Sequence, residues 1–156
     1  MIKYLCCDRS KYLCSNIQGK EHEVMDVKEI MEDILKDRCC CSESMIRFGL
    51  KIRGEENEQF ADAASALCSG LKNGALCGCL TGGAMMLTMF DKQASTAMIT
   101  ELFAWFDEEY GDRYGSVNCE DILTDRTQMW VLCPTIMEAT AEKCMEILKD
   151  KGLIEE

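Results

Sequence analysis

The chain has 156 residues with 47% hydrophobic content, which predicts one globular domain with a real core. Its formal net charge of −11, from 28 acidic and 17 basic residues, argues against nucleic-acid binding and against docking on an anionic membrane. Twelve cysteines are the outlier. Met1 to Arg9 carry no apolar run of the kind a signal peptide needs, and no stretch is long and apolar enough for a membrane span. The expectation is therefore a cytoplasmic protein whose thiols are reduced, metal-bound or redox-cycling.

Residues 1–25 have no clean period and predict an irregular N-terminal arm carrying Cys6, Cys7, Cys14 and the single histidine, His22. The helical domain is expected over 26–156. Val27, Ile30, Met31, Ile34 and Leu35 lie on one helical face, with Asp26 and Glu29 as a capping box and the end near Arg38. Cys39-Cys40-Cys41 makes a corner. A second helix follows, with Cys41, Met45, Phe48 and Ile52 inward and Gly54 as its stop. Residues 56–70 predict a third helix, burying Phe60, Ala63, Ala64, Leu67 and Cys68.

The fourth helix is predicted from about Cys77 to Phe90. It is apolar nearly all round and so should be central. The fifth is expected over about 95–110 with Ser95 as N-cap. A short helix follows Asn118, the stretch 124–132 is irregular, and the last helix is expected to begin at Cys133-Pro134. With no βα alternation and no repeat, the fold class is all-α, a compact bundle of about six to seven helices.

Four cysteines, Cys41, Cys77, Cys119 and Cys133, fall at predicted helix starts. Backbone N–H groups there favour thiolates, which bind metals and attack disulfides. Cys77 is the candidate catalytic nucleophile. Cys68 and Cys144 sit on apolar faces and read as inert buried thiols. The eleven methionines recur at helical spacing and read as core, and the carboxylates of Asp107, Glu108, Glu109 and Asp112 read as a solvated helix end. A lone histidine excludes most Cys–His and Ser–His dyads, and Gly82-Gly83 lacks the Lys-Ser/Thr of a P-loop.

Cys41-Ser42-Glu43-Ser44-Met45, the Cys77-Gly78-Cys79-Leu80-Thr81-Gly82 turn, Asn118-Cys119 and Cys133-Pro134 together resemble the C-GCAxxG-C-C family of redox-active proteins over roughly residues 27–150. The resemblance implies an all-helical domain with a redox role, an oxidoreductase or electron-transfer partner, and four recurring cysteines at Cys41, Cys77, Cys119 and Cys133. In this reading Cys79 stands where similar proteins carry alanine, and Cys40 is an alternative to Cys41. Three chemistries compete. The four thiolates hold an iron–sulfur cluster, most simply [2Fe–2S]; or Cys77 exchanges disulfides with a second cysteine and no metal; or the cysteines hold structural zinc in an interaction module. The wide apolar faces of the fourth and fifth helices fit either the monomer core or a homodimer.

Overall fold

The computed structural model describes residues 26–155. The arm predicted over 1–25, with Cys6, Cys7, Cys14 and His22, lies outside the described residues.

Helix α1 (Val27–Lys36) begins where expected. Its cap is simpler than a capping box: Asp26 accepts one bond, from the Lys28 N–H at 2.9 Å. Helix α2 (Cys41–Arg53) has Cys40 as N-cap and ends at the left-handed Gly54. It buries Met45 and Phe48 and keeps Cys41 and Ile52 half-buried, on the one face the spacing indicates. Helix α3 (Glu58–Ala64) starts with Asn57 accepting from the Phe60 N–H at 3.0 Å. Arg47 of α2 grips its Glu58 with two 2.9 Å bonds, on an exposed face where such a pair contributes little stability.

The third helix is shorter than predicted, and Ala63 faces out while Ala61 is buried. After a 3-10 turn (Ser65–Leu67), Cys68 adopts extended backbone, and the chain enters a left-handed turn. Ser69, Gly70, Leu71 and Lys72 all have φ between 54° and 59°. Three of the four carry a Cβ, and each costs roughly 1–2 kcal/mol in that conformation. Gly70 cannot be replaced cheaply, because a Cβ would meet the Ala75 carbonyl oxygen at 2.2 Å. The turn is closed by the Ala75 N–H on Gly70 O at 3.0 Å.

Helix α4 (Gly78–Phe90) is the central element, packed against α2, α5 and α8. Its crossing with α2 is close because glycines line it. A Cβ on Gly82 would stand 2.7 Å from the Ser42 Cα, and one on Gly49 would stand 2.8 Å from Met86 Cγ. On its other side, a Cβ on Gly83 would press on Leu102, Cys144 and Thr140 at 3.0–3.3 Å.

Helix α5 (Ser95–Phe106) has Ala94 and not Ser95 as its N-cap, with no side-chain cap bond, and Asp91 braces the turn that leads into it. The Asp91 carboxylate accepts the N–H groups of Gln93 at 2.6 Å and Ala94 at 3.2 Å. It runs on through a π-turn (Asp107–Gly111) into α6 (Asp112–Tyr114), with Asp107, Glu108, Glu109 and Asp112 all exposed. Helix α7 (Cys119–Ile122) is a single turn.

Helix α8 (Met129–Asp150) starts one turn earlier than predicted. The 3-10 turn Arg126–Gln128, held by Asp125 on the Thr127 N–H at 2.9 Å, feeds it directly. Cys133 and Pro134 therefore lie inside the helix. Pro134 lacks the N–H that would bond to Trp130 O. Trp130 is 71% exposed, so water can serve that carbonyl.

The core gathers Met31, Met45, Phe48, Met86, Leu87, Met98, Leu102, Phe106, Ile136, Ile147 and Leu148 from five helices. The described residues form helices and turns, with one isolated bridge, Leu76 to Asn118, and no strand. No helix among them is long and apolar enough to cross a membrane.

Candidate functional site

The site assembles where the start of α2, the start of α4 and the segment before α7 meet. Cys41 is the first residue of α2, Cys77 is the N-cap of α4, Cys79 lies in the first turn of α4, and Cys119 opens α7. A short backbone lattice sets these segments side by side. The Cys77 N–H donates to Val117 O at 3.0 Å and the Cys119 N–H donates to Ala75 O at 2.7 Å. Gly78 sits in the middle. A Cβ there would stand 2.3 Å from Cys41 Sγ, 3.3 Å from Leu67 O and 3.4 Å from the Cys68 Cα. The glycine is what lets the sulfur of α2 settle on the N-terminus of α4.

Three thiols act on one another: Cys79 interacts with both Cys41 and Cys77. Cys41 is held as a thiolate. The Cys79 thiol, and then the backbone N–H groups of Ser69, Ser42 and Cys41, lower its pKa from the usual 9.0 to about 6 against the cost of burial. The Cys77 thiol is lowered as well, chiefly by Cys79 and with help from the Cys79 and Leu80 amides at the helix start. Cys79 itself is pushed far up, by its interactions with Cys41 and Cys77 and then by burial. Cys41 is half-buried, whereas Cys77 is 6% and Cys79 1% exposed.

Cys119 and Cys133 flank this trio, both half-buried. Burial, followed by the charges on the neighbouring thiolates, raises both, Cys133 to about 12. They are thiols at neutral pH. All four cysteines singled out from sequence thus act on one another electrostatically. Cys133 does so from inside α8 and not from a helix start, a correction that follows from the earlier beginning of that helix. Tyr110 is buried, with its hydroxyl pushed up to about 12, chiefly by desolvation.

Cys68 is not the inert thiol expected of it. It is buried as predicted, but it forms a disulfide with Cys40, with Cα atoms 6.0 Å apart. Cys40 is thereby removed as an alternative to Cys41. Cys144 is buried, its thiol pushed up to about 12 by desolvation alone.

The family model described as "Putative redox-active protein (C_GCAxxG_C_C)" matches residues 39–147, more than half of the chain. The chain belongs to this family. The Gly-Cys-Ala-x-x-Gly of the C-GCAxxG-C-C pattern falls on Gly78-Cys79-Leu80-Thr81-Gly82-Gly83, with leucine for alanine. The cysteine of that pattern is therefore Cys79, which corrects the expectation that Cys79 replaces an alanine. Both glycines of the pattern have a steric reason here, Gly78 against Cys41 and Gly83 against Leu102, Cys144 and Thr140. No curated protein and no solved structure gave a match.

Sequence reasoning missed the part played by Cys79, the Cys40–Cys68 bond and the Ser69 amide. The Cys77-Gly78-Cys79 spacing across a helix cap was the available signal for the first. The others depend on the left-handed turn, in which Ser69, Leu71 and Lys72 adopt a positive φ that nothing in their own sequence favours. Sulfur donors of this kind suit a [2Fe–2S] cluster or zinc. Among the described residues, however, no group of three or more His, Cys, Asp or Glu is arranged to hold a metal ion.

Proposed function

We propose that this protein is a thiol–disulfide redox protein in which Cys41 attacks, Cys79 resolves and Cys77 takes the proton. The observation that carries the reading is one thiol, Cys79, shared between two lowered neighbours, Cys41 and Cys77. Cys41 combines thiolate character at neutral pH with access to solvent, which a nucleophile needs.

The substrate class is a disulfide on a partner protein. The Cys41 thiolate attacks one sulfur and forms a mixed disulfide. The partner's S–S bond breaks, and the leaving sulfur departs with the electron pair and takes a proton from water. Cys79 then gives its proton to the deprotonated fraction of Cys77, whose pKa is lowered chiefly by Cys79. The new Cys79 thiolate attacks Cys41 Sγ and expels the partner's remaining sulfur. Two electrons have passed to the partner, and the protein holds a Cys41–Cys79 disulfide. A dithiol carrier, the oxidoreductase partner expected from sequence, restores the starting state by the reverse exchange.

Anaerobic purification with iron, zinc and acid-labile sulfide analysis, followed by exchange with an aromatic disulfide, tests this. The expected result is a colourless, metal-free protein whose exchange at pH 7 is lost in Cys41→Ser. Cys79→Ser should stop at a stable mixed disulfide on Cys41. Iron and sulfide near stoichiometric, with visible bands that bleach on reduction, would replace this reading with an electron-transfer cluster. Stoichiometric zinc would make the site structural.

A further inference from the structure

The Cys40–Cys68 disulfide lies outside the exchanging trio, yet it adjoins it on both sides. Cys40 precedes Cys41 in the chain. Cys68 precedes Ser69, whose backbone amide favours the Cys41 thiolate, and the Cys41 sulfur and the Cys68 Cα close on the same point beside Gly78. Between them stands the left-handed turn Ser69–Lys72.

That turn has two anchors. Downstream it is tied by backbone bonds, Ala75 to Gly70 and Cys119 to Ala75. Upstream, the covalent tie is the disulfide, which joins Cys68 to the N-cap of α2. The outer face of the turn adds little, since Leu71 is 62% exposed and Lys72 and Asn73 are exposed too. Backbone in this region persists only when its surroundings over-determine it.

The surroundings of Cys68 also suit its reduced form. Ser42 has one hydroxyl proton and gives it to Ala64 O at 2.7 Å. Its oxygen faces Cys68 Sγ at 2.9 Å, where the disulfide offers no proton. A Cys68 thiol would donate to that oxygen directly.

Resting on the exchange reading above, we propose that Cys40–Cys68 is a second redox site, opened by a dithiol reductant, whose opening frees the left-handed turn and moves the Cys68–Ser69 backbone away from the Cys41 sulfur. Attack comes at Cys40 Sγ, because Cys40 is half-buried and Cys68 only 1% exposed. A thiolate of the reductant bonds to Cys40. Cys68 leaves with the electron pair, takes a proton and donates it in a hydrogen bond to Ser42. The reductant's second thiol then displaces Cys40. Two electrons and two protons end on Cys40 and Cys68, and the reductant ends as a disulfide. The second site thus sets the reactivity of the first.

The test is the alkylation rate of Cys41 by iodoacetamide at pH 7, located by fragmentation mass spectrometry on the full chain. Wild type with Cys40–Cys68 closed is compared with the Cys40→Ser/Cys68→Ser double variant and with Gly70→Ala, which disrupts the turn and keeps the disulfide. The expected result is at least a threefold slower Cys41 in both variants. An unchanged or faster rate in either variant, with helix content retained by circular dichroism, overturns the coupling. If the double variant loses its helix content, Gly70→Ala decides. Failure of the exchange reading shows separately, as the absence of any Cys41–Cys79 disulfide after oxidation, whatever the alkylation rates.

Discussion

At the scale of the residue, the decisive arrangement is one thiol, Cys79, that is pushed up while its neighbours Cys41 and Cys77 are lowered. Cys41, Cys77 and Cys79 cannot all ionise in a buried place, and the thiol that stays protonated stabilises its two neighbours. A lone thiol at a helix start would gain only the backbone N–H groups. Here the largest influence on Cys41 is the Cys79 thiol, with the Ser69, Ser42 and Cys41 amides after it. The alkylation rate of Cys41 should accordingly rise with a midpoint near pH 6, where Cys144, pushed up to about 12, stays unreactive throughout. Because the folded value lies below the usual 9.0, Cys41 favours the folded state above that pH. That contribution falls away as pH drops through about 6, which a denaturation series from pH 9 to pH 5 would record as declining stability. Gly78→Ala should displace Cys41, since its Cβ would stand 2.3 Å from the sulfur. The measurable consequences are loss of Cys41 reactivity and a stability cost of about 1–3 kcal/mol.

At the scale of the element, two devices set the site, and they differ in how readable they were. The position of α4 at the centre follows from its apolar periodicity and was legible, whereas its close crossing with α2 at Gly82 and Gly49 was not. Gly82→Ala would push its Cβ onto the Ser42 Cα, which is backbone and cannot move aside alone. Chemical denaturation should show a loss of about 2 kcal/mol or more, from the overpacking that close helix crossings tolerate poorly. The left-handed turn was not legible, because nothing local favours Ser69, Leu71 and Lys72 at positive φ. The disulfide and the Ala75 bonds impose it from outside the segment. The early start of α8 was hidden for a similar reason. Pro134 reads as a first-turn residue, yet the Asp125-capped turn nucleates the helix before it. Cys68→Ser removes a bond that closes a loop of sequence separation 28, and should cost about 2–4 kcal/mol by thermal denaturation.

At the scale of the molecule, the helices form one packed body around α4, with the thiol site at one end and the long α8 along its side. The family match covers residues 39–147, which takes in every cysteine of the site and the disulfide. The all-α class could be read from periodicity and resemblance, whereas helix-start placement misplaced Cys133, which lies inside α8. The pairing of Cys40 with Cys68 could not be read, because it depends on how α3 ends. Trp130 and Val131, 71% and 75% exposed at the start of α8, take no part in the core. Trp130→Ala should shift the melting transition by no more than about 0.5 kcal/mol.

The most direct measurement is disulfide mapping by non-reducing peptide mass spectrometry, after the reduced trio is oxidised with one equivalent of a small disulfide. The thiol-exchange account predicts a new Cys41–Cys79 bond beside an intact Cys40–Cys68 bond, with Cys77 recovered as a free thiol. A Cys41 that remains free, or that pairs with Cys119 or Cys133 in place of Cys79, would contradict it.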